Sequence, residues 1–243
     1  MTARIEILAD AEALARRAAD WLTGAAKATD GNFAIALSGG STPRRLYELL
    51  AGAPYREAIP WRRTQMFWGD ERFVPKDDAR SNYRMTHEAL LSHVPIAAAN
   101  LHPILTEGTT PADAALAYER TLKSHYGVDQ LDLARPLFDV TLLGLGEDGH
   151  TASLLPGTRA LSDRERWVVA VTDGGAEPRI TLTYPPLESS RHVLFLVSGE
   201  EKRAVLARAL RGDQELPAAR LRPIGSVLWL ADEAAAGGLR PRV

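Results

Sequence analysis

The chain has 243 residues, of which 45% are hydrophobic and 25% charged, the profile of a globular protein with enough chain for one large core or two small ones. Net charge at pH 7 is −2, so no global field favours nucleic acid or an anionic membrane, and any bound anion must be held by a local cluster. There are no cysteines, which excludes disulfides, thiolate catalysis and Cys-ligated zinc or iron–sulfur centres.

The opening Met1-Thr2-Ala3-Arg4-Ile5-Glu6 lacks the apolar stretch of a signal peptide, and no apolar run approaches the ~20 residues of a membrane span. A cytoplasmic protein is therefore expected. No low-complexity linker, long single-sign charge run or fixed-period repeat interrupts the chain, so a single domain over 1–243 is expected too.

Residues 4–9 read as a short strand, and 10–28 as an Ala- and Arg-rich helix with Leu14, Ala18, Trp21, Leu22 and Ala25 at helical spacing. Asp30-Gly31-Asn32 then turns the chain into Phe33-Ala34-Ile35-Ala36-Leu37, a continuous apolar strand of the kind covered on both faces. It ends in Ser38-Gly39-Gly40-Ser41-Thr42-Pro43. A helix continues to Leu50, with Pro43 expected at its first position and Thr42 or Ser41 as its cap. A second strand, Thr64 to Trp68, runs into the loop Gly69-Asp70-Glu71-Arg72-Phe73-Val74-Pro75, and Ser81-Asn82 cap a helix from Tyr83 to Leu91. The next helix covers 111–125, opened by Pro111.

Phe138 to Leu143 is again a buried strand, succeeded by the glycine-rich run Gly144-Leu145-Gly146-Glu147-Asp148-Gly149-His150. Strands at 167–171, 179–183, 192–197 and 227–230, with Ser198-Gly199-Glu200-Glu201-Lys202 turning the third of them into a helix through Leu210, complete the pattern. Strands alternating with helices along the whole chain argue for an α/β fold, a doubly wound and mostly parallel sheet with helices on both faces.

Four stretches carry chemistry. In Ser38-Gly39-Gly40-Ser41-Thr42-Pro43, glycines let backbone N–H groups approach an anion, hydroxyls add donors, and the helix start is partially positive. It is neither a Walker A loop, which needs Gly-Lys-Ser/Thr, nor a nucleophile elbow, which needs a second glycine after the serine. The bland alternative is a plain tight turn with a hydroxyl cap. Gly69-Asp70-Glu71-Arg72 puts two carboxylates and a guanidinium just past a strand, suited to a phosphorylated polyol or to an ordinary surface ion-pair cluster. Arg179 and Lys202, each at an element boundary, could complete a phosphate pocket or simply be solvated charges.

The fourth stretch, Gly144 to Gly149, literally matches the dinucleotide fingerprint Gly-x-Gly-x-x-Gly, with Asp173 beyond as a candidate ribose acid. Glu147 and Asp148 speak against that use, because they place two negative charges where a pyrophosphate would lie. His150 behind the third glycine is instead the best acid–base candidate, since an imidazole with a pKa of ~6.5 takes up and returns a proton near neutrality. His87 and His93 fall in a predicted helix, His102 beside Pro103, His125 near a helix end and His192 at a strand start, so surface or capping roles are expected of them. No pair has metal-ligand spacing, and no metal is expected.

Together these motifs resemble the 6-phosphogluconolactonase family. The matching pieces are Ser38 to Pro43, Gly69 to Pro75 with Ser81-Asn82-Tyr83, Gly144 to Gly157, Pro178 to Thr183 and Gly199 to Ala204, in order from about residue 33 to the end. The resemblance implies a Rossmann-like fold and cofactor-free hydrolysis of 6-phospho-glucono-1,5-lactone to 6-phosphogluconate, the second step of the oxidative pentose phosphate pathway. The related glucosamine-6-phosphate deaminases share the phosphate turn and an Asp-Gly-His loop, but their pattern continues Asn-Glu-Pro with a catalytic glutamate. Here that position is Leu155, which cannot serve as an acid–base group, and within the lactonase pattern it replaces a common phenylalanine.

The expected mechanism uses His150 as general base on water and then as general acid to the ring oxygen, with Asp148 orienting the loop or the imidazole. The 6-phosphate would sit on Ser38, Gly39, Gly40, Ser41 and Thr42, with Arg72, Arg179 and Lys202 supplying charge and Asp70 and Asn82 completing the ligand set. The N–H of Gly149 or Gly40 would face the oxyanion. The expected partner is a small sugar-phosphate lactone, with no nucleic acid, membrane or obligate protein partner. A non-catalytic sugar-phosphate sensor remains the alternative from another functional class.

Overall fold

The structure, a computed structural model, describes residues 4–239. In chain order its elements are β1 (Arg4–Leu8), α1 (Ala11–Ala28), β2 (Phe33–Leu37), α2 (Ser41–Leu50), α3 (Tyr55–Ala58), β3 (Thr64–Trp68), β4 (Asp70–Arg72), α4 (Asn82–Ala89), β5 (Leu101–His102) and α5 (Pro111–Tyr126). The second half adds β6 (Phe138–Leu143), β7 (Val168–Val171), β8 (Arg179–Leu182), α6 (Tyr184–Glu188), β9 (Ser190–Val197), α7 (Arg203–Leu210), β10 (Ser226–Asp232) and α8 (Glu233–Ala236).

Seven strands form one sheet in the order β1-β10-β9-β6-β2-β3-β5, and every pairing within it is parallel. Parallel strands buried on both faces read as unbroken apolar runs. All five residues of β2 are buried, as are the last four of β6 and the last five of β9. The order also shows how the chain winds. From β2 it proceeds outward through β3 to β5, then returns to lay β6 on the other side of β2 and continues outward through β9 and β10. Right-handed crossovers consequently put α1, α2 and α4 on one face and α5 and α7 on the other. Phe33, Phe67, Phe138 and Phe195 fill the core between the layers.

One expectation fails in part. The strands β7 and β8 do not extend the parallel sheet; they form a separate antiparallel sheet in the order β4-β8-β7. A parallel return needs a crossover of a dozen or more residues, usually helical. Only the stretch 172–178, with its Asp173-Gly174-Gly175 turn and no helix, joins β7 to β8, so the chain doubles back as a hairpin. The Asp70-Glu71-Arg72 segment, expected as loop, adds a third strand at its edge. No helix among the described residues is long and apolar enough to cross a membrane.

Candidate active site

The cleft opens where the strand order reverses. β2 and β6 pair only at Ile35 with Val140 and Ala36 with Thr141, whereas β6 stays with β9 to Leu143 and β2 with β3 to Leu37. Beyond that point the two strands part, and the segments leaving them line a cleft of about 240 Å³. Such a crevice at the carboxyl ends of the strands is where open α/β sheets hold ligands.

The first wall is the turn after β2. The helix α2 starts two residues earlier than its proline suggested, and its N-cap is Gly40, at φ 106° and ψ 170°, with no side-chain cap. A φ in this region is natural for glycine and strained for other residues. The hydroxyls of Ser41 and Thr42 are thus not consumed as caps, contrary to expectation. The first N–H groups of a helix have no intrahelical acceptor, and Ser38, Gly39, Gly40, Ser41 and Thr42 all line the cleft.

The small antiparallel sheet forms the second wall. Arg72 of β4 lies directly opposite Arg179 of β8, so two guanidinium side chains share one face of one strand pair. Like charges so placed repel. Both residues line the cleft, and the Nε of each is buried with no acceptor among the described residues. Arg72 is aimed by Asn82, whose Oδ1 accepts from its Nη1 at 3.1 Å, and by the Arg80 carbonyl at 2.8 Å. Asn82 in turn donates to the Asp70 carbonyl at 2.9 Å, and the buried Asp70 carboxylate accepts from Ser153 Oγ at 2.6 Å. Asp70 and Asn82 both line the cleft.

Glu71 does not join them. It faces inward and accepts the N–H groups of Arg72 (2.8 Å), Asn82 (2.7 Å) and Tyr83 (2.8 Å) and the Ser81 hydroxyl (3.1 Å), tying β4 to the start of α4. Burial pushes its carboxyl above the ordinary range, against the pull of those N–H groups.

The loop after β6 carries His150, the expected acid–base residue, to the cleft. The N–H of Gly146 meets the His150 carbonyl at 2.9 Å and that of Gly149 the Gly146 carbonyl at 3.0 Å, closing a tight turn. The turn does not lead into a helix, so the fingerprint glycines of the dinucleotide reading have no helix start to offer a pyrophosphate. The turn brings Asp148 Oδ1 to within 2.5 Å of His150 Nδ1 and 3.1 Å of the His150 N–H. Burial alone would raise the Asp148 carboxyl, but the His150 N–H and imidazole hold it below its ordinary value. A Cβ on Gly146 would collide with the His150 ring, so the ring's seat depends on that glycine. His150 lines the cleft, and Lys202 closes it from the start of α7, its Nζ 3.9 Å from the exposed Glu147 carboxylate.

Most residues expected of a site thus converge. Gly149 does not: it sits outside the cleft lining, and its N–H is spent on Gly146, so it has no donor for an oxyanion. The other candidate donor residue, Gly40, lines the cleft. Of the remaining histidines, His87 and His93 are exposed as expected, and three others are not. His102 and His125 are half-buried against Phe67, and His192 packs edge-on to Trp21, with burial lowering all three below the usual imidazole range. Sequence reasoning missed Ser153, the acceptor of whose hydroxyl is 83 residues away, and Ala152, which lines the cleft at φ 48°, a strained value for a residue with a side chain. That kink turns Ser153 inward, where its N–H also reaches Thr181 Oγ1 at 3.1 Å.

The model of the family described as Glucosamine-6-phosphate isomerases/6-phosphogluconolactonase matches residues 9–229. The chain belongs to that family. Among its relatives, the 6-phosphogluconolactonase of Synechocystis is 40% identical, over 99% of this chain and 100% of its own. The solved 6-phosphogluconolactonase from Trypanosoma cruzi superposes with a TM-score of 0.86 at 32% identity, over 98% of this chain and 97% of that one. A monomeric glucosamine-6-phosphate deaminase shares the fold at a TM-score of 0.81 but only 21% identity, over 98% of this chain and 100% of its own. Leu155, expected where the deaminase pattern has its glutamate, is buried in the hydrophobic core and is not among the residues lining the cleft.

Proposed function

We propose that the protein is a 6-phosphogluconolactonase, opening 6-phospho-glucono-1,5-lactone to 6-phosphogluconate in the oxidative pentose phosphate pathway. The observation that carries this is the sharing of one cleft by His150, backed by Asp148, and by the opposed pair Arg72 and Arg179. A site with one base and a concentrated positive grip suits water attack on a small phosphorylated ester.

With Nδ1–H directed at Asp148, the other ring nitrogen, Nε2, is the basic one. It takes a proton from water as the oxygen attacks C1, and the carbonyl electron pair moves onto the carbonyl oxygen. When the tetrahedral intermediate collapses, the C1–ring oxygen bond breaks and the same imidazolium returns the proton to the departing oxygen. The phosphate sits on the N–H groups and hydroxyls of Ser38 to Thr42, with Arg72, Arg179 and Lys202 countering its charge. Asp70 and Asn82 accept and donate to the sugar hydroxyls. Phosphate binding far from C1 places the carbonyl beside His150, so its loss reduces turnover as well as affinity. A cytoplasmic location is part of the proposal, because a charged sugar phosphate does not cross a bilayer unaided.

A stopped-flow assay on freshly generated lactone, with the spontaneous rate subtracted, tests the class of reaction. The expected outcome is accelerated opening with no ammonia from glucosamine 6-phosphate and no binding of nicotinamide cofactors. Ammonia release would move the protein to the deaminases. Binding of 6-phosphogluconate without any acceleration would make it a sensor.

A further inference from the structure

Two buried tyrosines serve neighbouring strand ends in the same way. Tyr118 of α5 donates to the Trp68 carbonyl at 2.9 Å and accepts the Trp68 N–H at 2.8 Å. Tyr47 of α2 donates to the Ser38 carbonyl at 2.8 Å and accepts the Ser38 N–H at 3.1 Å. Both side chains are fully enclosed, and burial pushes both phenols up, so each hydroxyl keeps its proton. A single hydroxyl thereby satisfies both main-chain groups of one residue.

The two pins differ in the backbone on their C-terminal side. After Trp68, Gly69 is fixed independently, its N–H on the Leu37 carbonyl at 2.8 Å and its carbonyl on the Leu182 N–H at 2.9 Å. After Ser38 there is no equivalent. Ser38 lies just past the last β2–β6 pair, where the neighbouring strand no longer offers partners. Among the described residues, no main-chain hydrogen bond holds Ser38 or Gly39, and the next one, from the Arg44 N–H to the Gly40 carbonyl, already belongs to the helix. Apart from the Ser38 hydroxyl, which donates to the Gly39 carbonyl at 3.3 Å within the turn itself, the shape of the turn therefore rests on one side chain from outside it, carried by the helix into which the turn leads.

We propose that Tyr47 is a positioning residue for the phosphate turn: it replaces the strand partner lost where β2 and β6 part and so locks strand end, turn and helix start into one rigid anion seat. This rests on Ser38 to Thr42 holding the phosphate. Tyr47 is not among the cleft-lining residues, so its effect passes through Ser38. Without the hydroxyl, the buried N–H and carbonyl of Ser38 lose their partners and recover them only by moving the turn. The N–H groups that converge on the phosphate then diverge. His150, on the opposite wall, keeps its place.

The test compares Tyr47→Phe with Tyr118→Phe, both near-isosteric, on two substrates sharing the lactone head: 6-phospho-glucono-1,5-lactone and unphosphorylated glucono-1,5-lactone. The readout is the ratio of kcat/KM for the two. In Tyr47→Phe the ratio is expected to fall about tenfold, chiefly through KM for the phosphorylated substrate. In Tyr118→Phe, which loses the same kind of buried bonds, it is expected to stay within about twofold of wild type. An unchanged ratio in Tyr47→Phe overturns the proposal, as does an equal fall in both variants, which would mark general loosening. A wild-type ratio near one would remove the phosphate seat itself and the proposal with it.

Protection by inorganic phosphate against urea gives a reading that needs no turnover. Wild type and Tyr118→Phe are expected to gain in midpoint on phosphate addition and Tyr47→Phe to gain little; equal gains in all three would also overturn the proposal.

Discussion

Replacing Arg179 with glutamine should strengthen the empty protein and weaken the loaded one. Arg72 and Arg179 are cross-strand partners, and the Nε of each is buried without an acceptor among the described residues. Like charges directly opposite in a sheet cost ~0.2–1 kcal/mol, so removing one stabilises the substrate-free fold by about that amount. With a phosphate between them the sign reverses, because a hydrogen bond to a charged group contributes ~1.5–3 kcal/mol. Arg179→Gln should therefore raise the urea midpoint slightly in the absence of ligand and weaken 6-phosphogluconate binding by about 10- to 150-fold. Urea titrations with and without inorganic phosphate read both effects, since a ligand at free concentration L that binds only the folded state stabilises it by RT ln(1 + L/Kd). A variant that is less stable when empty and binds 6-phosphogluconate normally would refute this reading of the pair.

Asp148→Asn should lower kcat by ~10²–10⁴ at nearly unchanged affinity for 6-phosphogluconate, because Nδ1–H loses the carboxylate that fixes the basic nitrogen toward the cleft; a wild-type kcat would contradict it. Glu71→Gln should cost about 1–3 kcal/mol of stability, since its amide nitrogen replaces one carboxylate oxygen and, with the remaining oxygen kept on the Arg72 and Asn82 N–H groups, leaves the buried Tyr83 N–H facing a donor. An unshifted urea midpoint would show that the carboxylate does not organise the β4–α4 junction. Acidification should destabilise the fold through His102, His125 and His192, which burial holds below the ordinary imidazole value of 6.5. The unfolded chain takes up protons near pH ~6.5 while these folded rings resist, so their contribution is whole above that pH and is lost as pH falls through their folded values. Urea midpoints at descending pH measure this, and His125→Phe should flatten the decline; an identical slope in the variant would contradict it.

The central strands of the parallel sheet were legible because they are buried on both faces, whereas the two-residue edge strand β5, only half-buried, was not anticipated. Phe33 to Leu37, Thr64 to Trp68 and Phe138 to Leu143 matched their observed bounds residue for residue. The small sheet was not, for two separate reasons. Asp70-Glu71-Arg72 has no apolar pattern and owes its extended form to pairing with β8, more than a hundred residues later. The hairpin of β7 and β8 had a visible cue, a Gly-Gly turn too short for a crossover, which the alternation of strands and helices elsewhere masked.

The site divided along similar lines. Local glycine turns announced Ser38 to Thr42 and His150, while Ser153 on Asp70 joins segments with no shared sequence pattern. The contact between Asp148 and His150, two residues apart, depended on a turn whose closure by Gly146 only the structure displays.

The most direct test of His150 as the acid–base group is a stopped-flow comparison of wild type with His150→Ala on fresh 6-phospho-glucono-1,5-lactone. Spontaneous opening must be subtracted and binding of 6-phosphogluconate measured in parallel. The predicted result is a loss of at least ~100-fold in the enzymatic rate, with the fold and product binding retained. A folded His150→Ala protein that opens the lactone at close to the wild-type rate would contradict it.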